Sequence, residues 1–388
     1  MICDKDKCTG CFACYNICPK NAIKMVEDEY GYIYPVIDDK LCVNCKLCQK
    51  NCPSLNKVNL EYPIKCYASR VINEDILKKS TSGGIATLLS KKMIENGGIV
   101  YGAAYVGNCE VNHIRVDNID ELHKLQGSKY VHSYIKDTFR LVKKDLIDKN
   151  NVLFIGTPCQ IAGLKKYLIN EYENLYTVDI ICHGVPSQEF LKNEVRRINN
   201  NSIDIDRVNF RDKVYDDFTF SLEKNNKVDY SEKWTQNPYF YTFMEAITYR
   251  ENCYNCLYAR PERVSDITIG DFWGLGKNSK FYNSKEKGVS ILLPVTQKGV
   301  YLIQIIKDEI ELEERTIEEA INGNGQLREH SKKGKSVDKF KDLYIKNNDF
   351  YKTYRKVCKK HCFKEKIKSI SMIKYVLKLR KEIRNEKK

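Results

Sequence analysis

The sequence has no apolar run approaching the roughly 18 residues that a membrane-spanning helix requires. Its first residues, MICDKDKCTGC, lack the apolar stretch of a secretory signal. From these two absences we predict a cytoplasmic protein. The G-x-G-x-x-G fingerprint follows none of the strand-like segments, so a nicotinamide dinucleotide held in the Rossmann manner is not supported. No residue identifies a substrate or a catalytic group.

Cysteine, by contrast, is abundant, with 17 in a chain of 388 residues. Because cytoplasmic thiols stay reduced, this number indicates metal ligands rather than disulfides. Two segments, CTGCFACYNICP from Cys8 and CVNCKLCQKNCP from Cys42, share the pattern C-x2-C-x2-C-x3-C-P. In this pattern, three cysteines of one copy and the fourth of the other hold each 4Fe-4S cluster. The predicted ligands are Cys8, Cys11, Cys14 and Cys52 (the Cys8 set), and Cys42, Cys45, Cys48 and Cys18 (the Cys42 set).

Zinc also binds four-cysteine sites with C-x2-C spacing, but two complete copies that each end in Cys-Pro favour iron–sulfur clusters. Between the copies, MVEDEYGYIYPVID alternates as two short strands around Gly31 would. We therefore predict that residues 1–56 form an α+β two-cluster ferredoxin module. Such a module moves single electrons and performs no bond chemistry itself.

Between residues 60 and 330, predicted strands alternate with predicted helices, a pattern typical of one α/β domain with a mixed, partly parallel sheet. Strands are predicted in GGIVYGAAYVG, VNHIRV, NVLFIG, YTVDIICHG, SDITIGDFWG and GVSILLPVT. Helices are predicted in SYIKDTFRLVKKDLID and after TPCQ. Beyond the strand GVSILLPVT, only helices are expected up to about residue 330.

Four of the cysteines in this region form a further candidate set. Cys159 follows one predicted strand and Cys182 ends the next, so both fall on the carboxyl edge of a parallel sheet, where ligands bind. Cys253 and Cys256 form a C-x2-C pair in a loop that can fold over that edge. These four cysteines, the Cys159 set, predict a third 4Fe-4S site. The alternative is two buried structural cysteines and a small zinc loop, since free cysteines are often buried as small hydrophobes.

Two polar loops are candidates for an anionic cofactor. Ser82, Gly83 and Gly84 precede a predicted helix, whose N-terminus favours phosphate, although the same residues also serve as ordinary caps. The second loop, LQGSKYVHS, can meet a pyrophosphate or a flavin ring edge, or it can be a plain surface loop. Its candidate residues are Gly127, Ser128, Lys129 and His132.

Six segments follow the ferredoxin module in a fixed order: STSGGIAT, GSKYVHS, FIGTPCQIAGLKK, DIICHGVPS, CYNCLYA and SDITIGDFWG. Together they resemble the beta-subunit family of coenzyme F420 (deazaflavin) hydrogenases and dehydrogenases, over roughly residues 1–300. The resemblance implies a flavin, usually FAD, beside a 4Fe-4S cluster. It places the flavin at the two polar loops and the cluster at the Cys159 set, and it puts Asp271 near the site.

The predicted function is that of an iron–sulfur flavoprotein oxidoreductase. It would pass electrons, in either direction, between ferredoxin-type clusters and a reducible substrate through the flavin. A flavin suits this task because clusters exchange one electron at a time, whereas hydride chemistry takes two. The substrate stays open, since related proteins reduce molecules as different as a chlorophyll derivative. The predicted partner is a ferredoxin or another redox protein.

Two alternatives come from other functional classes. The first is a non-catalytic electron-transfer subunit of a larger redox complex, linked to the surface-polysaccharide biosynthesis that some related proteins accompany. The second is a zinc-binding scaffold.

Positive charge is concentrated at the end of the chain. The net charge is +14, of which +12 falls within residues 352–388, so the body is close to neutral and no nucleic-acid partner is predicted. Residues 331–388 are predicted to form a basic helical tail with one apolar side: Ile370, Ile373, Val376, Leu377 and Ile383. Such a tail fits an acidic partner or an anionic membrane surface at the inner face. Alternatively it is a solvated helix, because Arg380 interrupts the apolar side.

Overall fold

The computed structural model describes residues 2–211, 218–368 and 370–371. Strands in the described residues are β1 (Ile23–Glu27), β2 (Ile33–Ile37), β3 (Cys66–Val71), β4 (Ile99–Tyr105), β5 (Val111–Val116), β6 (Val152–Gly156), β7 (Leu175–Ile180), β8 (Arg207–Asn209), β9 (Thr219–Lys224), β10 (Lys227–Lys233), β11 (Ile267–Asp271), β12 (Ser290–Pro294) and β13 (Ile310–Arg315). The helices are α1 (Ala13–Ile17), α2 (Leu47–Lys50), α3 (Glu74–Lys78), α4 (Ile85–Glu95), α5 (Thr138–Ile147), α6 (Pro158–Leu168), α7 (Gln188–Ile198), α8 (Pro238–Met244), α9 (Gln297–Gln304), α10 (Ile317–Gly323), α11 (Lys335–Asn347) and α12 (Phe350–Val357).

The cysteine repeat of the ferredoxin module is also a repeat of backbone geometry. Phe12 and Lys46 hold equivalent positions in the two copies, and both adopt left-handed φ values, 64° and 60°, immediately before α1 and α2. Between the copies, β1 and β2 pair in antiparallel fashion from Ile23 opposite Ile37 to Glu27 opposite Ile33. The predicted pair of short strands is therefore confirmed.

The central sheet has eight strands in the order β13-β3-β12-β11-β7-β6-β4-β5. The four middle strands, β11, β7, β6 and β4, run parallel to one another, and the strands on either side pair antiparallel. This confirms the predicted mixed, partly parallel sheet. Parallel strands are covered on both faces, which explains why β6 reads as the continuous apolar run VLFI.

The two faces of the sheet are covered by different parts of the chain. Phe154 packs on one face with residues of α5 and α6, together with Cys11 and Phe12 of the ferredoxin module. The neighbouring Leu153 packs on the other face with residues of α4 and α9. Since successive side chains of a strand point to opposite faces, β6 contributes to both cores and lies between them. The ferredoxin module therefore docks on the α5–α6 face.

Some of the strands lie where the sequence predicts none. β13 lies in a segment for which only helices are predicted, and it pairs with β3 at the edge of the central sheet. Its sequence IELEER is rich in residues that favour helices, but edge pairing overrides that preference. A separate antiparallel sheet of β10, β9 and β8 was also not predicted, because the polar β10 reads as a loop.

The described C-terminal part is helical, as predicted. Phe340 and Tyr344 of α11 and Phe350 of α12 are buried beside Phe190 of α7. The basic stretch from residue 372 onwards, which contains Ile373, Val376, Leu377, Arg380 and Ile383, lies outside the described residues. None of the helices in the described ranges combines the length and apolar character needed to cross a bilayer. The boundaries at 56, 60 and 330 stay predictions.

Candidate redox site

The two cysteine sets of the ferredoxin module line two separate cavities. All four members of the Cys8 set line one cavity, with Thr9, Gly10 and Cys3. All four members of the Cys42 set line the other, with Val43 and Lys46. Each cavity thus combines three cysteines of one repeat with the fourth cysteine of the other, the exchange that the repeat predicts. The chemistry of both donor sets fits a 4Fe-4S cluster.

The two cavities share a small apolar core. Cys14 and Cys52 of the first set pack with Cys18 and Cys48 of the second around Ile23. Cys3, to which the sequence analysis gave no role, contacts the thiols of Cys8 and Cys52, and its hydrogen bond lowers the pKa of Cys8 to about 6. The C-x2-C rule carries no signal for Cys3, because it stands outside the repeat.

The Cys159 set comes together at the carboxyl edge of the parallel strands. Cys159 lies in the first turn of α6, directly after β6, and Cys182 follows β7. Cys253 lies in the 3-10 turn Glu251–Asn255 and Cys256 follows it. All four side chains line one cavity. The sheet edge thus supplies Cys159 and Cys182 as the partners of the C-x2-C pair Cys253 and Cys256.

Burial raises the pKa values of the thiols in the Cys159 set. It raises the pKa of Cys159 and of Cys182 to about 12, and it raises that of Cys253 as well. Ligation would therefore have to displace a proton from each thiol. In the described ranges, no group of three or more His, Cys, Asp or Glu converges on a single metal ion. A cubane makes a different demand, because each of its four cysteines binds a separate iron.

A large cavity of about 300 Å³ lies beside the Cys159 set. Its wall includes Ser82 and Gly84 at the N-terminus of α4, an eleven-residue helix with no side-chain cap. Uncapped N–H groups at a helix N-terminus attract phosphate. The predicted flavin residues Gly127, Ser128, Lys129, His132 and Asp271 also line this cavity. Its size and donor set fit the phosphate-bearing part of a flavin dinucleotide.

Gly83 lies against the sheet, whereas its neighbours Ser82 and Gly84 line the large cavity. A Cβ on Gly83 would lie 2.5 Å from the Ser69 carbonyl oxygen and 2.9 Å from the Ser290 nitrogen. Its N–H donates to the Ser290 hydroxyl at 2.9 Å. The close approach that Gly83 permits is therefore to β3 and β12, and through it the loop that carries Ser82 and Gly84 is held against the sheet.

The charged residues of the large cavity have internal partners. Lys129 Nζ donates to the carbonyls of Gln126 at 2.8 Å and Leu125 at 3.0 Å, and burial lowers its pKa to about 7. Burial also lowers the pKa of His132 to about 3, so its imidazole is neutral. Asp271 pairs with Arg211 at 2.5 Å. The cavity thus presents mainly neutral donors and one cation that titrates near neutral pH.

The cavity of the Cys8 set, the cavity of the Cys159 set and the large cavity adjoin one another in space. Thr9 lines both the cavity of the Cys8 set and that of the Cys159 set. The latter shares His132, Thr157 and His183 with the large cavity. A continuous path therefore leads from the ferredoxin module through the Cys159 set to the large cavity.

The sequence analysis missed several residues of this path. His113 lines the large cavity, and Arg250 lies beside Cys8. Neither has a local sequence signal, since each is placed only by the packing of distant segments. A signal did exist for Thr157 and Gln160, which form a capping box at the start of α6 and so orient the turn that carries Cys159.

Three family models match the chain. Residues 7–56 match a 4Fe-4S dicluster domain. Residues 66–138 match the N-terminal model of the coenzyme F420 hydrogenase/dehydrogenase beta subunit, and residues 149–320 match its C-terminal model. The chain belongs to this beta-subunit family. The resemblance carried by the six ordered segments is thereby confirmed, and the family is one of F420-linked iron–sulfur oxidoreductase subunits.

Individual relatives agree with both halves of this assignment. An uncharacterized ferredoxin from Methanocaldococcus jannaschii is 43% identical over 54 residues, which are 14% of this chain and 69% of the ferredoxin. A coenzyme F420-dependent sulfite reductase from the same organism is 28% identical over 189 residues. The match covers 48% of this chain and 29% of the reductase.

Among solved structures, a chain of the F420-reducing NiFe hydrogenase complex from Methanosarcina barkeri has a TM-score of 0.47 and 17% identity to this beta-subunit family member. The match covers 68% of this chain and 91% of that chain.

Proposed function

We propose that the protein is an iron–sulfur flavoprotein oxidoreductase with three 4Fe-4S clusters and one flavin. It exchanges electrons with an external carrier at one end and with a reducible small molecule at the other. The observation that carries the proposal is the run of adjoining cavities: three of them are each lined by a complete set of four cysteines, and the last of these shares lining residues with the large cavity.

Different groups of residues would hold the clusters and the flavin. The three cysteine sets would hold the clusters. The uncapped start of α4 and the hydroxyl of Ser82 would bind flavin phosphates, and the segment Gly127–His132 would hold the rest of the molecule. A bound flavin supplies the exchange between one-electron and two-electron chemistry. The buried, neutral His132 belongs to the wall that the large cavity shares with the Cys159 set, and it would keep water from between the two cofactors.

The Cys42 set is the proposed entry point for a ferredoxin or another redox protein. Cys45 is exposed, unlike the other eleven predicted ligands. Beside it, the apolar side chains of Leu41 and Val43 are 50% and 57% exposed. Two exposed lysines, Lys20 and Lys46, line the cavity of the Cys42 set. An apolar centre with a basic rim suits a partner with an acidic rim.

The test is an anaerobic count of iron and extractable flavin per chain in the wild type and in Cys256→Ala. The wild type should carry about twelve irons, as three cubanes require, and one flavin. Cys256→Ala should lose about four irons and keep the signals of the other two clusters, because Cys256 lines only the third cavity.

Cys66→Ala is the matched control, since Cys66 is a buried cysteine of β3 that belongs to none of the three sets. Its iron content should equal that of the wild type. An unchanged iron count in Cys256→Ala would refute the third site. About eight irons and no flavin in the wild type would instead favour a non-catalytic electron-transfer subunit.

A further inference from the structure

Arg250 is completely buried, with 0% of its surface exposed. Among the described residues, Nη1 and Nη2 have no hydrogen-bond partner. The ring of Tyr34 covers the guanidinium, with 4.1 Å between Cζ and the ring centroid, which gives only a cation–π contact. Buried arginine side chains normally meet a carboxylate or another anion. Among the described residues no carboxylate pairs with this charge, and the group that it faces is the thiol of Cys8, a predicted cluster ligand whose pKa it helps to lower.

The position of Arg250 connects two of the proposed cluster sites. Its backbone carbonyl accepts the N–H of Cys253 at 2.9 Å, in the turn of the Cys159 set. Its side-chain Nε donates to the carbonyl of Cys8 at 2.8 Å. Gly10 makes room for this arrangement, since a Cβ there would lie 3.3 Å from Arg250 Cζ and 2.7 Å from His132 Cε1. The guanidinium thus lies between the Cys8 set and the Cys159 set.

A cluster on each side would supply the missing anion. A cubane held by four thiolates carries net negative charge, and reduction adds one more negative charge to it. Leaving a buried cation unpaired is strongly unfavourable, whereas placing it between two anionic groups makes burial tolerable. The same attraction is stronger for the reduced cluster than for the oxidised one.

We propose that Arg250 sets the reduction potentials of the two inner clusters, those of the Cys8 and Cys159 sets. The inference rests on the proposed function. The buried charge raises both potentials above the values they would have without it. Among the described residues, the hydrogen bonds and the ring contact of Arg250 involve no residue of the Cys42 set, so the potential of that cluster is little affected. Electrons are thereby held on the inner clusters, next to the large cavity.

The test is a potentiometric titration of the anaerobically purified full chain, followed by electron paramagnetic resonance. In Arg250→Gln, the signals of the two inner clusters should shift to more negative potentials. At a fixed solution potential, their ratio of reduced to oxidised cluster should fall on the order of tenfold. The third signal should not move. Arg250→Lys keeps a charge and should restore most of the shift. Cys45→Ser and Cys256→Ala identify which signal belongs to which set.

Arg140→Gln is the matched control. Arg140 also donates to a carbonyl of the ferredoxin module, from Nε to Asn16 at 3.2 Å, but it is partly exposed and pairs with Asp137 at 2.8 Å. All three potentials should stay at their wild-type values in this variant.

Two results would overturn the role of Arg250: unchanged potentials in Arg250→Gln, or a shift in Arg250→Lys as large as that in Arg250→Gln. The second result would place the effect in the hydrogen bond to Cys8 instead of the charge. A wild type without a third signal would refute the proposed function itself, whereas three signals that ignore Arg250 would refute only this inference.

Discussion

His113 shows how burial fixes the protonation state of a side chain at the large cavity. Its Nε2 lies 3.0 Å from the Ile155 carbonyl, which can only accept, so Nε2 carries the proton. Its Nδ1 then accepts from the Ser133 hydroxyl at 2.8 Å. The imidazole also stacks on Phe154, with 5.2 Å between ring centroids. Burial lowers the pKa of His113 from 6.5 to about 4, and the ring is neutral at pH 7.

This depressed pKa predicts a loss of stability in acid. Between pH 6.5 and 4, the unfolded chain binds a proton that the folded chain does not, so the free energy of unfolding falls as the pH falls through that window. From pH 6.5 to 5, the contribution is about 2 kcal/mol. Anaerobic chemical denaturation at pH 7.5 and pH 5 should show a smaller pH-dependent loss in His113→Gln than in the wild type.

His123→Gln serves as the control for this measurement, because His123 is exposed. Its loss of stability in acid should match that of the wild type. If His113→Gln also matches the wild type, His113 does not titrate in the predicted window.

At the level of elements, the start of α4 is held in place by the sheet. The Gly83 carbonyl accepts the Val71 N–H at 2.8 Å, and the Ser290 hydroxyl donates to the Ser82 hydroxyl at 3.1 Å. Gly84 then adopts φ +83 as the N-cap of the helix. Because the loop is tied to both β3 and β12, the proposed phosphate site is prearranged and does not have to form around its ligand.

Gly83→Ala should therefore lower the flavin content of the purified protein. The new Cβ would meet the Ser69 carbonyl at 2.5 Å and push the loop away from the sheet. Overpacking of this kind costs about 1–3 kcal/mol of stability. Iron content should stay unchanged, since Gly83 lines none of the cysteine cavities. Absorbance spectra and metal analysis measure both quantities.

Gly334→Ala is the matched control, because a Cβ at Gly334 meets nothing within 4 Å. It should retain both flavin and stability. Full flavin retention in Gly83→Ala would argue against this loop as the phosphate site.

At the level of the whole molecule, an aromatic core joins three distant parts of the chain. Tyr32 of the ferredoxin module packs edge-on against Phe190 of α7, with 5.9 Å between ring centroids. Phe190 in turn contacts Phe340 of α11 at 5.7 Å. The Tyr32 hydroxyl donates to the Thr248 carbonyl at 3.0 Å, only two residues before Arg250. The C-terminal helices thus support the junction between the ferredoxin module and the rest of the protein.

Phe340→Ala should accordingly lower the free energy of unfolding by about 3–5 kcal/mol, the usual cost of deleting a buried aromatic ring. Phe340 is only 1% exposed. Anaerobic denaturation followed by tryptophan fluorescence would measure the change.

Tyr351→Ala, which removes a ring that is 39% exposed on the neighbouring helix, should cost much less. Equal losses in the two variants would mean that α11 does not stabilise the junction.

The sequence by itself determined the cysteine sets of the ferredoxin module and the parallel centre of the sheet. Ligand spacing is local, so the two repeats indicated both ferredoxin sets, and each set now lines its own cavity. Strands buried on both faces are marked by their own apolar runs, which predicted the parallel centre of the sheet. The positions of Cys159 and Cys182 after neighbouring strands were sufficient to predict that they meet.

Other features depend on contacts between segments that no local pattern connects. β13 contains helix-favouring residues and is a strand only because β3 leaves an open edge beside it. Arg250 resembles any other arginine in the sequence. Its proposed role depends on its position beside Cys8, which lies 242 positions away in the chain, and on the complete burial of its charge. Local spacing therefore predicted which cysteines bind the clusters, whereas tertiary packing decided how the cavities connect and which charge lies between them.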